Sequence, residues 1–121
     1  MTTHTTRATL QDIASNCEFA LDLIKKRGPK NFTHDTAFRY ALEHALVILS
    51  TAISHIPHDM RTQQPTAPWT LVQEIGSRIT YGERQHVEDM TVWNAITTHL
   101  APLHKVAQRM LADLDQPRLP L

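Results

Sequence analysis

The sequence predicts an all-α protein, folded as an antiparallel bundle of four helices, or of five, with a kinked C-terminal helix. Apolar residues recur three and four positions apart along nearly the whole chain, which is the spacing of one buried helix face. No useful length of sequence alternates with the period of two that a strand requires. Connections between the amphipathic segments are mostly short, which favours antiparallel neighbours. The 121 residues are the size of one domain, so we expect a single bundle over 8–115 with flexible ends at 1–7 and 116–121.

Two long helices are predicted in the first half of the chain. The first begins at a sequence resembling a capping box, Thr9 to Asp12, and stops at Gly28-Pro29. Its apolar face comprises Leu10, Ile13, Cys17, Ala20, Leu21 and Ile24. The second begins near Thr33 to Asp35 and ends before Pro57, because a proline disfavours helical geometry in the residue that precedes it.

A loop and two further helices are predicted in the second half. Residues 58–68 are polar and contain two prolines, so they form the longest predicted loop. A short helix follows, with Thr66 or Thr70 as its N-cap and Gly82 as its stop, since glycine adopts the left-handed conformation without strain. The last helix begins near Asp89. Pro102 predicts a kink rather than a break in it, because the apolar stripe continues in phase.

Composition limits the possible functions. Lys plus Arg and Asp plus Glu number 12 each, so no overall field attracts the chain to nucleic acid or an anionic membrane. Any RNA contact needs a local patch. The basic cluster of Lys25, Lys26, Arg27 and Lys30 could provide one, or could be a solvated helix end. The single cysteine, Cys17, fits a reducing cytoplasm, and no apolar run approaches the roughly 20 residues of a membrane span, so we expect a soluble cytoplasmic protein without a membrane contact.

Common catalytic motifs are scarce. His55 and His58 are three residues apart, but Pro57 spoils the helical geometry that would aim both at one ion, so a solvated helix end is favoured over a metal site. Cys17 has no electropositive neighbour and should be inert. The three glycines are too scattered for a phosphate-binding loop. We therefore expect neither metal nor cofactor, and attention moves to the segment from Arg78 to His86.

Three stretches of the sequence occur in the order of a known family. "AFRYALEHALVILSTA" resembles the second helix of HepT-like HEPN proteins, although Ser50 and Thr51 replace the family's Gly-Glu. "PTAPWTLVQEIGSR" resembles its Pro-Trp, short helix and Gly-x-Arg, and "VEDMTVWNAITTHLAPL" resembles its acidic-x-x-x-Val-Trp helix. Together the stretches extend the resemblance over roughly residues 9–114.

The resemblance implies a fold, an activity and a partner. Such proteins are dimeric helical bundles, and active members are metal-independent RNA endonucleases that act as toxins. A minimal nucleotidyltransferase neutralises them by attaching AMP to a tyrosine. Transferred to this sequence, Arg78 would hold a phosphate and His86 would act as general acid or base. Tyr81 would be the AMP acceptor or line the site, and Arg84 and the basic cluster would bind RNA.

The catalytic segment departs from the family pattern. Seven residues separate Arg78 from His86, where the family has four to six, and the apolar Ile79 follows Arg78. Tyr81 precedes the histidine instead of following it. Three interpretations stay open: an active site restored by a chain reversal at Gly82 or by dimerisation, an inactive module that binds RNA or a nucleotidyltransferase, and a structural adaptor unrelated to the family.

Overall fold

The computed structural model describes residues 3–82 and 88–116, and in these ranges the chain is α-helical without a strand. This confirms the predicted all-α class. The helices are α1 (Thr3–Lys26), α2 (Pro29–His34), α3 (Thr36–Ser54), α4 (His58–Thr62), α5 (Trp69–Thr80) and α6 (Asp89–Asp115). None of the described helices is long and apolar enough to cross a membrane.

The four longer helices run in alternating directions. Contacts between α1 and α6 join opposite ends of the sequence: Arg7 forms an ion pair with Asp115, and Glu18 Oε1 lies 3.0 Å from His104 Nε2. Helix α1 also packs on α3, and α5 packs mainly on α3 with much lighter contact to α6. One end of the bundle therefore holds the end of α1, the start of α3, the end of α5 and the start of α6. We call it the α5-terminal end.

The core is continuous across the helices. Three rings close it at the α5-terminal end, where the centroid of Phe32 lies 5.7 Å from that of Trp93 and 6.4 Å from that of Phe38. Trp69 and Trp93 are both buried, so they belong to the core and are not exposed anchors for a partner. The largest fully buried side chains elsewhere include Leu10, Ile13, Leu42, Leu46, Leu49, Ile53, Ile96, Leu100 and Leu103.

Most predicted helix boundaries in the second half are confirmed. Helix α6 begins at Asp89, and it runs through Pro102 without a break. Helix α5 ends at Thr80, two residues before Gly82. The N-cap predicted for α5 at Thr66 or Thr70 is wrong, since the capping residue is Pro68 and no side chain caps the helix. Proline fits there because its missing N–H is not needed before the first helical turn.

The first half of the chain contains more helix than predicted. The start at Thr9 is wrong: α1 begins at Thr3 and includes residues that the sequence assigns to a flexible end. Weak helix formers are helical there because Thr6 is buried and Arg7 pairs with α6, so tertiary contacts outweigh propensity. The short helices α2 and α4 occupy predicted connections. The predicted start of α3 near Thr33 to Asp35 is confirmed, and Asp35 is its N-cap, accepting a hydrogen bond from Phe38 N at 3.1 Å.

Candidate functional site

Arg78 lies in the last turn of α5, at the α5-terminal end of the bundle, and its side chain is exposed. The helix ends just beyond it. Tyr81 is the C-cap residue, with its N–H bonded to the Ser77 carbonyl, and Gly82 has a φ of 76°. This left-handed glycine stops the helix as predicted. A continuous helix from Arg78 to His86 is therefore excluded.

The close approach of α5 to α3 fixes the height and rotation of the helix that carries Arg78. Gly76 packs directly against α3, where a Cβ would lie 2.5 Å from the Leu46 carbonyl oxygen and closer still to Ser50 Cβ. Ser50 Oγ donates a hydrogen bond to the Gln73 carbonyl at 2.8 Å and lies 3.3 Å from Ser77 Oγ. Since Ser50 is buried, these bonds satisfy a hydroxyl that would otherwise be costly in the core.

Sequence reasoning noticed Gly76 only as part of a family landmark and missed its packing role. A signal was present, because an isolated glycine inside a helical pattern often marks a close approach of another backbone. The serine that replaces the family's glycine on α3 was noted as a mismatch. In the structure Ser50 is the residue that bonds across to α5.

His86 and Arg84 lie outside the described residues, in the segment 83–87. Their predicted roles, and the approach of His86 to Arg78, stay predictions. On either side of this segment, α5 ends at Thr80 and α6 begins at Asp89, and the two helices run in opposite directions.

Tyr81 is the most exposed of the large apolar and aromatic side chains described, at 79% exposure. Its position at the C-cap of α5 places it three residues after Arg78 and next to the left-handed glycine. The phenol is therefore accessible to a modifying enzyme at the same end of the bundle as the arginine. Its proposed role as an AMP acceptor stays a prediction.

The basic cluster also lies at the α5-terminal end. Lys26 and Lys30 are exposed, and Lys25 makes only a long 4.0 Å pair with Asp22, so these lysines leave their charge available to an anion. Arg27 differs, because it pairs with Asp35 and its guanidinium stacks 5.6 Å from the centroid of Phe38. Arg27 is therefore tied to the cap of α3, whereas Lys26 and Lys30 have no ion-pair partner among the described residues.

The other reactive residues lie apart from Arg78. Cys17 is buried in the core, and burial raises the pKa of its thiol to about 12, so the thiol stays protonated and unreactive. His55, the C-cap residue of α3, and His58, the first residue of α4, are exposed at the opposite end of the bundle. In the part of the chain that the structure describes, no group of three or more His, Cys, Asp or Glu side chains is placed to hold a metal ion.

Comparison with known proteins assigns this arrangement to a family. A model of the family described as "Ribonuclease HepT-like" matches residues 13–110. The chain belongs to the ribonuclease HepT-like family. The HepT-like match extends from α1 into α6 and contains Arg78, Tyr81 and the basic cluster.

Two relatives of this HepT-like chain carry the name "Putative RNase". The one from Methanocaldococcus jannaschii is 23% identical over 110 residues, covering 91% of this chain and 94% of the relative. The one from Caldanaerobacter subterraneus is 23% identical over 107 residues, covering 88% of this chain and 95% of the relative. No solved structure matches the chain significantly. The family resemblance seen in the sequence is thereby confirmed, over nearly the whole length of the relatives.

Proposed function

We propose that this HepT-like protein is a metal-independent RNA endonuclease that acts as the toxin of a toxin–antitoxin pair. The observation that carries the proposal is the position of Arg78, an exposed guanidinium in the last turn of a helix that is packed closely on α3 and ends just before the left-handed Gly82. A rigid support matters because a phosphate clamp must hold its geometry while charge develops on the phosphate. Family membership supplies the substrate class.

The proposed chemistry is transfer of a phosphodiester within the RNA strand. The ribose 2′-oxygen attacks the adjacent phosphorus and loses its proton, while the 5′-oxygen leaves and gains one. The products are a 2′,3′-cyclic phosphate and a 5′-hydroxyl end. Arg78 would hold the phosphate oxygens through its planar donors and stabilise their growing charge. His86 would take the 2′-hydroxyl proton or supply the proton to the leaving oxygen.

The assay uses purified protein and RNA in the presence of a chelator, with analysis of the cleaved ends. Wild type should produce 2′,3′-cyclic phosphate ends, and Arg78→Ala and His86→Ala should each lower the rate at least 100-fold. Arg78→Lys keeps the charge but loses the planar donors, so it should fall between wild type and Arg78→Ala. His58→Ala, on α4 at the opposite end, is the matched control. Intact RNA after prolonged incubation with wild type would refute the proposal.

The proposed biological partners have their own tests. Expression of wild type in a host cell should arrest growth, and Arg78→Ala should relieve the arrest. A minimal nucleotidyltransferase should add AMP to the protein, and Tyr81→Phe should prevent the increase in mass. The protein should behave as a dimer in light scattering, which would allow Arg78 of one chain to work with His86 of its partner.

A second candidate function follows from the spacing between Arg78 and His86. Seven residues separate Arg78 from His86, and the apolar Ile79 follows the arginine. These departures favour an inactive module that retains the bundle and holds RNA or a nucleotidyltransferase. The two candidates differ in the RNA assay, since the module forms a stable complex with RNA or with the enzyme and leaves the RNA intact.

A further inference from the structure

A second cationic feature lies far from Arg78, where α6 faces the loop that leads into α5. A cleft of about 530 Å³ is lined there by Thr66, Pro102, Lys105, Val106, Gln108 and Arg109. Its size is within the range of small-ligand sites, roughly 300–1,000 Å³. Thr66 precedes α5 by three residues, and Arg78 is in the last turn of that helix. Arg78 is nine positions after Trp69, so the Cα atoms of these two residues are about 14 Å apart along the helix.

The charged side chains that line the cleft are both positive. Lys105 and Arg109 are four residues apart on α6, so their side chains project from the same face one turn apart. Both are exposed, and neither has an ion-pair partner among the described residues. Of the two acidic residues near the end of α6, Asp115 pairs with Arg7, and Asp113 is not among the residues that line the cleft. The cleft thus combines two available cations with the amide of Gln108 and the hydroxyl of Thr66, which are all donors suited to phosphate oxygens.

The apolar residues that line the cleft suit contact with the sugar or base attached to a bound phosphate. Pro102 and Val106 lie on the same face as the cations, one turn apart from each other, and form an apolar wall beside the polar donors. Val106 is buried and Pro102 is exposed, so the wall joins the core to the surface. A protein partner would need a broad complementary face, whereas a phosphate with its sugar or base suits a small cleft in which two cations lie beside a short apolar strip.

We infer that this cleft is a distal subsite that binds a backbone phosphate of single-stranded RNA, a few nucleotides away from the phosphate held at Arg78. The inference rests on the proposed function for the identity of the ligand. The subsite would set the direction of the strand along the seam between α5 and α6, where the two helices are in only light contact. It would contribute to RNA affinity and would leave the chemical step unchanged.

Binding is measured separately from cleavage, with a short fluorescent RNA whose 2′-hydroxyls are methylated so that it cannot be cut. Lys105→Gln/Arg109→Gln should raise the Kd roughly tenfold and should make the negative slope of log K against log salt shallower by about 1.4, as expected for two lost phosphate contacts. Lys105→Arg/Arg109→Lys should bind like wild type. Gln108→Glu places a negative charge in the cleft, and Gln11→Glu makes the same change in charge on the exposed face of α1, so only the former should weaken binding.

The binding results test the subsite separately from the proposed cleavage of RNA. Weakened binding by the cleft variants supports the subsite even if wild type never cuts RNA, in which case only the proposed activity fails. Unchanged Kd values in the cleft variants overturn the subsite even if RNA is cut normally. Absence of RNA binding by wild type overturns it as well. Cleft variants that bind RNA normally but lose a protein partner would reassign the cleft as a protein interface and overturn the inference.

Discussion

Replacing Gly76 with alanine tests the idea that the close contact of α5 with α3 controls both stability and the position of Arg78. The added Cβ would lie 2.5 Å from the Leu46 carbonyl oxygen and closer to Ser50 Cβ, whereas ordinary contacts are at 3.4–4 Å. The helices must therefore separate by about 1 Å. That displacement also stretches the 2.8 Å hydrogen bond from Ser50 Oγ to the Gln73 carbonyl.

The expected change in the free energy of unfolding combines two destabilising contributions and one stabilising contribution. Overpacking costs about 1–3 kcal/mol, and weakening one buried hydrogen bond costs about 1 kcal/mol more. The higher helix propensity of alanine returns about 1 kcal/mol. We expect Gly76→Ala to lower the free energy of unfolding by about 2 kcal/mol, which corresponds to a fall in Tm of roughly 5–10 °C.

The assay is denaturant unfolding followed by circular dichroism, with the Tm measured in parallel. Gly28→Ala is the matched control, because nothing lies within 4 Å of a Cβ at that position, and its effect should stay within about 0.5 kcal/mol. In a double-mutant cycle, Gly76→Ala should cost less in a Ser50→Gly background than in wild type, since one of the two obstacles is removed. A Gly76→Ala protein as stable as wild type would refute the reasoning about the contact.

Two further predictions concern titratable groups. The pKa of Asp35 is lowered, first by the hydrogen bond from Phe38 N–H and then by Arg27. A lowered folded pKa means that the stabilisation is present above the unfolded pKa of about 4 and is lost as pH falls through the folded pKa, so the Tm difference between wild type and Asp35→Ala should shrink in acid. Equal differences at pH 7 and pH 2 would contradict this cause. Cys17, whose thiol pKa is raised to about 12 by burial, should react with a thiol reagent at pH 8 far more slowly in the native protein than in denaturant. Equal rates would show that the cysteine is accessible.

The sequence was sufficient for the parts of the fold that depend on local pattern. The 3.6-residue spacing of apolar side chains predicted the long helices. Residues that favour helix ends placed the helix limits near Asp35, Gly82 and Asp89. The sequence did not predict helix limits that depend on tertiary contacts. Helix α1 extends back to Thr3 through threonines because Arg7 pairs with Asp115 and Thr6 is buried, and no local rule contains that information.

The candidate site was less predictable than the fold. Arg78 and Tyr81 were found through family resemblance, and the structure places both at an exposed helix end. The division of the basic cluster was not predictable, because Arg27 is tied to Asp35 through a turn that only the fold creates. The distal cleft was missed since Thr66 and Arg109 are distant in sequence, and two cations four apart on a helix are an ordinary surface pattern.

The pairing of α1 with α6 has a consequence for how the chain folds during synthesis. Arg7 contacts Asp115 and Glu18 contacts His104, so one side of α1 packs on α6, which leaves the ribosome after the other described helices. Contacts between the two ends of a sequence are the slowest to form, because a long loop must close first. Until then α1 and α3 can pair while the apolar side of α1 that faces α6 stays in water. A nascent chain halted before α6 should therefore be a target for chaperones and proteases.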